Sequence, residues 1–160
     1  MTIKVGDRVP SVKLKQLTAD GMKDVVTDQH FAGKKAVLFA VPGAFTPTCS
    51  AKHVPSFVNH AEELKAKGIE LIACIAVNDA FVMSAWGKDQ HADGKVEMLA
   101  DGNGDFAKAI GLDADFSGFG LGLRSQRYAM VLDDGVVTVL NVEKPGAYEV
   151  SSAEAILQAL

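Results

Sequence analysis

The chain is poor in most of the features that mark specialised protein classes. It has two cysteines, Cys49 and Cys74, in 160 residues, too few for a disulfide framework. In a reducing compartment such cysteines serve catalysis, sense redox state or simply fill a core. Its four histidines form no cluster with the cysteines at metal-ligand spacing, which argues against a structural zinc site. No apolar run approaches the ~20 residues of a membrane span. The opening segment, Met1 to Asp7, mixes charges and lacks the apolar stretch of a signal peptide, so the expected location is the cytoplasm. Basic residues are outnumbered, 16 against 20 acidic ones, for a net charge of −4. That balance offers no basic face for a nucleic acid. There is no internal repeat, low-complexity tract or linker.

The remaining composition, 48% hydrophobic and 22% charged, is that of an ordinary globular protein. A chain of this length fits one domain, residues 1–160, and can bury roughly 70% of its unfolded surface. Segments 12–17 and 23–26 flank the turn signal Asp20-Gly21 and predict an amino-terminal hairpin. The apolar run 36–41 predicts a central strand covered on both faces. Across 47–67, Val54, Phe57, Val58, Ala61 and Leu64 recur at helical spacing, with Gly68 placed to end the helix. A second buried strand spans 69–77. Asn78-Asp79 breaks it, and Asp79 is placed to cap a helix over 80–90. A short strand over 97–100 and a short helix over 105–110, stopped by Gly111, come next. Segments 127–132 and 136–141 flank Asp133-Asp134-Gly135 and predict a second hairpin. A closing helix over 153–160 is expected, capped by Ser151 or Ser152. The expected fold is α/β, a three-layer sandwich. Its element order resembles the thioredoxin fold, with an amino-terminal β-hairpin and inserted elements added.

Chemistry concentrates on the run Pro42-Gly43-Ala44-Phe45-Thr46-Pro47-Thr48-Cys49. It leaves the central strand through a Pro-Gly turn and enters a helix. Thr46 is the expected cap, Pro47 fits the first helical position, and Cys49 falls in the first turn. An ordinary thiol, with a pKa of about 8.5, is only a few per cent thiolate at neutral pH. Helix amides and the helix dipole favour the anion, and thiols so placed reach about 3.5–7.5. Thr46 and Cys49, three residues apart, can face each other across one turn, so the hydroxyl can serve the sulfur or a substrate oxygen beside it. Pro42 has no amide hydrogen to donate and stiffens the approach to the loop.

Pro42, Thr46 and Cys49 match the P-x-x-x-T-x-x-C signature of the peroxiredoxins. The fuller run 41–49, with Val77-Asn78-Asp79-Ala80-Phe81-Val82 and Arg124-Ser125-Gln126-Arg127-Tyr128-Ala129-Met130, resembles the type II, peroxiredoxin-five-like members. The similarity runs from about residue 3 to residue 160. It implies a thiol peroxidase of hydrogen peroxide and alkyl hydroperoxides, with no metal or organic cofactor, serving cell redox homeostasis. It implies that Cys49 is the peroxidatic cysteine, oxidised to a sulfenic acid. By the same resemblance Thr46 orients the peroxide, Pro42 shields the site, and an arginine stabilises the thiolate and the polarised oxygen–oxygen bond. Arg127, just before Tyr128, stands where the family places that arginine; Arg124 is expected at the rim. A homodimer through loops near the site is also implied, with Phe45 and Phe81 as candidate contacts.

Cys74 lies inside the apolar run 71–77 and reads first as a buried, inert core thiol. The resemblance opens a second role, that of a resolving cysteine, because some plant type II members carry a cysteine here. Animal members use one near the carboxy terminus, where this chain has Glu149-Val150-Ser151-Ser152. An external thiol is therefore expected to regenerate Cys49: glutathione with glutaredoxin first, thioredoxin second. His53, four residues after Cys49, is expected to hydrogen-bond near the helix rather than to form a protease-like Cys–His pair. His30, His60 and His91 read as surface residues. Phe45, Phe81, Trp86, Phe119 and Leu121 could collar the site, cover a dimer surface or pack the core. Residues 118–122 carry spaced glycines without the strand and helix of a phosphate loop, and read as a flexible loop beside the site. The alternative to an enzyme is a redox-sensing thioredoxin-like binding module. A general disulfide oxidoreductase is disfavoured, because Lys52 occupies the position a Cys-x-x-Cys pair would need.

Overall fold

The computed structural model describes residues 2–160. Its elements, in chain order, are β1 (Lys13–Thr18), β2 (Gly21–Val26), α1 (Thr27–His30), β3 (Lys35–Ala40), a π-helical turn (Cys49–His53), α2 (Val54–Asn59), α3 (Ala61–Ala66), β4 (Leu71–Ala76), α4 (Ala80–Asp89), β5 (Glu97–Ala100), α5 (Asp105–Ala109), β6 (Asp113–Asp115), a 3-10 turn (Ser117–Phe119), β7 (Leu123–Ser125), β8 (Tyr128–Asp133), β9 (Val136–Val142) and α6 (Ala153–Ala159). One sheet holds seven strands in the order β2-β1-β5-β4-β3-β8-β9, and β6 with β7 forms a second. In the large sheet β3, β4 and β5 are parallel neighbours, while the flanking pairs are antiparallel.

The central strands β3 and β4 are apolar from 36 to 40 and from 71 to 76 because both faces are covered. Val37 and Phe39 of β3 face one core with Cys74 of β4, Phe57 of α2, Leu64 of α3, Trp86 of α4 and Ile156 of α6. Ala36, Leu38 and Ala40 alternate to the other core, with Phe31 after α1, Phe106 of α5 and Leu132 of β8. This is the expected three-layer α/β sandwich of thioredoxin type. The β8–β9 turn also forms as its sequence predicts. Asp134 and Gly135 both take positive φ, 52° and 77°, the conformation a two-residue turn needs to match strand twist.

Two local expectations are corrected. The helix expected over 47–67 is broken into the π-helical turn, α2 and α3. Pro55 has no N–H for the carbonyl four residues back, and its ring crowds that carbonyl. The turn before it widens, so that the Val54 N–H reaches the Cys49 carbonyl, five residues back. His60, with φ −109° and ψ 12°, then separates α2 from α3. Secondly, residues 118–122 are not a loose loop but the hydrogen-bonded end of the β6–β7 hairpin. There the Phe116 N–H donates to the Gly122 carbonyl at 2.7 Å and the Leu121 N–H to the Phe116 carbonyl at 3.1 Å. Three-residue strands are too short to register as periodicity. Of the two serines expected to cap α6, Ser152 does so, accepting from the Ala155 N–H at 3.1 Å. Asp79 caps α4 as expected, accepting from the Val82 N–H at 2.9 Å.

Candidate active site

The site begins where β3 ends. Val41 still donates to the Ile75 carbonyl at 3.3 Å, but Pro42 has no N–H to continue the ladder. The loop is then held from two sides. The Ala44 N–H donates to Asn78 Oδ1, at the end of β4, at 2.9 Å. Phe45 adopts φ 63°, a left-handed conformation uncommon for a bulky residue and typical of strained functional loops. Arg124 reaches under the loop, donating from Nε to the Leu121 carbonyl at 3.0 Å and from Nη1 to the Pro42 carbonyl at 3.4 Å. A Cβ on Gly43 would lie 2.6 Å from Arg124 Nη1, so glycine is what lets the guanidinium in.

The loop delivers Cys49, whose side chain is fully buried, to two polar groups. Thr46 Oγ1 lies 2.8 Å from the sulfur, and Arg127 Nη2, from the edge of β8, donates to it at 3.1 Å. Thr46 Oγ1 is also 2.7 Å from the Gly43 carbonyl. A hydroxyl has one hydrogen to donate. Given to Gly43, it leaves an oxygen lone pair for an S–H; given to the sulfur, it serves a thiolate. Thr46 stands at the cap position as expected, through its backbone rather than its side chain. The Thr46 carbonyl starts the helix, accepting from the Ser50 N–H at 3.0 Å, while its hydroxyl turns to the sulfur.

His53 explains how Arg127 is aimed. Arg127 Nη1 sits 2.8 Å from His53 Nδ1, and His53 Nε2 sits 2.8 Å from the Ser151 carbonyl. Guanidinium can only donate and a carbonyl can only accept. His53 is therefore neutral, with its proton on Nε2 and a bare Nδ1 facing Arg127. Its surroundings agree. Rings of Phe39, Phe57 and Tyr148 lie 4.9, 5.8 and 5.3 Å from its centroid. Burial, reinforced by the Arg127 charge, lowers its pKa to about 3. With both nitrogens engaged, His53 is no general base for Cys49. Arg127 also lies over the Tyr148 ring, 5.9 Å from its centre. Tyr148 left no signal in the sequence; Asn78 stood in the run 77–82 and in the pair that breaks β4, and Ser151 only as a candidate cap, with no sign of the contacts they make here.

A Redoxin family match covers residues 4–157. Over 99% of its length the chain is 54% identical to Peroxiredoxin-2E, chloroplastic, of Arabidopsis thaliana, covering 70% of that protein. The chain belongs to the peroxiredoxin family. It is also 54% identical to Peroxiredoxin-2E-2, chloroplastic, of Oryza sativa subsp. japonica, covering 99% of itself and 73% of that protein. Among solved structures, a reduced Prx3 of Vibrio vulnificus in complex with H2O2 matches with a TM-score of 0.96 at 57% identity, over 99% of each chain. This peroxiredoxin is a thiol-dependent peroxidase with a thioredoxin fold. The expected cytoplasmic location is corrected: both plant relatives are named as chloroplastic. Compartment is assigned by a targeting segment separate from the folded domain, so domain composition does not report it.

Elsewhere in this peroxiredoxin, Cys74 sits mid-strand in β4 between Phe39 of β3 and Met98 of β5. It is fully buried in the same core as Cys49, and burial, then the nearby Cys49, push its pKa well up. Trp86 belongs to the core rather than to a collar: it is fully buried and its indole N–H donates to Ser50 Oγ at 3.0 Å. Phe45, Phe81 and Phe119 are exposed, and Leu121 is half-buried. His91 is at the surface as expected. His30 and His60 are only part exposed, 2.7 Å from Glu97 and 3.2 Å from Glu154 respectively. Pro42, Thr48 and Arg127 line a cavity of about 600 Å³, with Phe116, Phe119 and Lys144 on its other walls. Among the described residues, no three His, Cys, Asp or Glu side chains gather as a metal site would require.

Proposed function

We propose that this peroxiredoxin is a type II member that reduces hydrogen peroxide and alkyl hydroperoxides through Cys49, with Thr46, Arg127 and Pro42 as its partners. The observation that carries the reading is the convergence on one sulfur of a hydroxyl three residues away and a guanidinium 78 residues away, at 2.8 and 3.1 Å. The two plant relatives named Peroxiredoxin-2E and 2E-2 support the type II assignment, and the Redoxin match over 4–157 supports one domain over 1–160.

In the first half-reaction the Cys49 thiolate attacks the terminal oxygen of the hydroperoxide. The sulfur–oxygen bond forms as the oxygen–oxygen bond breaks. The departing hydroxide or alkoxide takes up a proton and leaves as water or alcohol, and Cys49 remains as a sulfenic acid. Arg127 serves the anionic sulfur before attack and the charge that spreads onto the oxygens during it. Thr46 can accept the peroxide proton or donate to an oxygen, and Pro42 limits water at the sulfur. The cavity of about 600 Å³ beside Pro42, Thr48 and Arg127 gives a substituted hydroperoxide room for its organic part.

In the second half-reaction two external thiols are oxidised to a disulfide, the sulfenic acid is reduced to the thiol, and water is released. Glutathione with glutaredoxin is the first-choice donor and thioredoxin the second. The mid-strand burial of Cys74 supports a core thiol rather than a resolving one. Exposed Phe45 and Phe81 support a homodimer that covers them. The test is stopped-flow oxidation of the reduced protein by hydrogen peroxide and an alkyl hydroperoxide, then turnover with each donor. The parent should turn over, and Cys49→Ser should not. Turnover by Cys49→Ser would sink the site. Oxidation of Cys49 with no turnover by either donor would favour the redox-sensing module instead.

A further inference from the structure

We infer that Glu143 is a positioning residue of the peroxidase site, acting through Ser151 and His53 on the orientation of Arg127; the inference rests on the reading of Cys49 and Arg127 just given. Glu143 follows β9 directly and is 6% exposed. Its carboxylate is wrapped by one short segment. It accepts from the N–H groups of Glu149, Val150 and Ser151, each at 2.9 Å, and from Ser151 Oγ at 2.7 Å. Among the described residues no cation forms an ion pair with it, and its hydrogen bonds all come from this loop. Burial opposes ionisation, but the bonds from Ser151 and from the three amides outweigh it and hold the carboxyl below its usual range.

The loop so fixed sets the next contact. With its N–H and hydroxyl both committed to Glu143, Ser151 presents its carbonyl to His53 Nε2 at 2.8 Å. An acceptor at Nε2 places the imidazole proton there and leaves Nδ1 bare; the partner of one ring nitrogen decides the state of the other. Only a bare Nδ1 can accept from Arg127 Nη1, at 2.8 Å. Because the guanidinium is a rigid plane, holding Nη1 aims Nη2 at the Cys49 sulfur, 3.1 Å away. Glu143 also pins the same arginine from its backbone, its N–H donating to the Arg127 carbonyl at 3.0 Å. The side chain of Tyr148, carried on the same loop, donates to the Lys52 carbonyl at 3.3 Å and covers the edge of His53. One carboxylate thereby organises the outer wall of the site without a hydrogen bond to the sulfur.

The test compares Glu143→Ala and Glu143→Gln in the full chain. Two readouts are needed: the rate of Cys49 oxidation by hydrogen peroxide, followed by Trp86 fluorescence, and the His53 tautomer, followed by proton–nitrogen correlation spectra. In the parent, His53 should give the single Nε2–H tautomer. In Glu143→Ala that signature should blur, and peroxide oxidation should slow about 10- to 100-fold, as when outer partners behind a functional histidine are removed. Glu143→Gln keeps the volume and one acceptor oxygen, so it should recover part of both. If Glu143→Ala does not fold, Glu143→Gln decides alone, with an intermediate loss of rate and tautomer purity as the expected result. An unchanged rate in the folded variants overturns the inference. So does a slower rate with an intact His53 signature, because the effect would then not pass through the histidine. Cys49→Ser separates the two readings: if that variant turned over, the assignment of Cys49 would fail while the His53 spectra still judged Glu143.

Discussion

Cys49 and Cys74 lie in one core on the same side of the sheet, both sealed from solvent, and their surroundings are opposite. Cys49 has a hydroxyl and a guanidinium at hydrogen-bond distance. Cys74 has strand neighbours on both sides, Phe39 and Met98, and no donor at its sulfur among the described residues. Burial therefore does not separate the thiol with polar partners from the one without; position along the sheet does. In the middle of β4 every backbone group is paired and the side chains are apolar. Past the end of β3, the loop, the end of β4 and the start of β8 each bring a side chain to one point. Asn78, Arg124 and Arg127 can meet the Cys49 loop only because strands distant in sequence end together there.

The most direct way to break the comparison is to strip Cys49 of what Cys74 lacks. Arg127→Ala removes the charged donor and should slow peroxide reduction about 10²- to 10³-fold, the usual loss for one preorganised donor at a reacting centre. Arg124→Ala should be milder, because Arg124 touches the Pro42 and Leu121 carbonyls and not the sulfur. Stopped-flow rates for the pair decide it. If Arg124→Ala were the slower variant, the role given to Arg127 would be wrong.

A second test asks whether the polar side of the core is held at a cost. His53 carries a pKa of about 3 in the fold against 6.5 for the free side chain. Between those values the unfolded chain binds the extra proton, so stability rises with pH across that range. The contribution is complete above about pH 6.5 and is lost as pH falls towards 3, roughly 3 kcal/mol by pH 4. Glu143, held ionised by its loop, adds a loss of the same sign as it protonates. His53→Gln should flatten the acid limb of a plot of stability against pH and leave the smaller Glu143 slope. Urea unfolding from pH 4 to pH 7 measures it. An acid limb identical to the parent's would mean that His53 titrates freely in the fold.

The layered fold was legible because its signals are periodic or positional: the run 36–41 for β3, the Asp-Asp-Gly turn for β8–β9, Asp79 for α4. The inner half of the site was legible for a different reason, since Pro42, Thr46 and Cys49 share one loop and the resemblance supplied Arg127. The outer half was not. Asn78, Tyr148, Ser151 and Glu143 act through hydrogen bonds made by tertiary packing, and no spacing announces those contacts. Pro55 was in plain view, and its effect on the helix before it, the π-helical turn that begins at Cys49, is one that apolar periodicity over 47–67 overrides. The compartment lay outside the information a folded domain holds.

The smallest expected effect is the most informative about Cys74. In Cys74→Ser a hydroxyl replaces a thiol in a place that offers no partner at its side chain. Burying an unpaired hydroxyl costs about 1–3 kcal/mol, so the melting temperature should fall by several degrees for a domain of this size. If an external thiol regenerates Cys49, as proposed, turnover with glutathione and glutaredoxin should nevertheless stay close to that of the parent. Cys74→Ala, which adds no polar group, should keep the same turnover with a different stability loss, set by the small cavity alone. Measuring turnover and melting in both variants sets the two roles apart. A folded Cys74→Ser that oxidises once and then fails to turn over would make Cys74 the resolving cysteine, and β4 would then have to open locally on every cycle to bring the two sulfurs together.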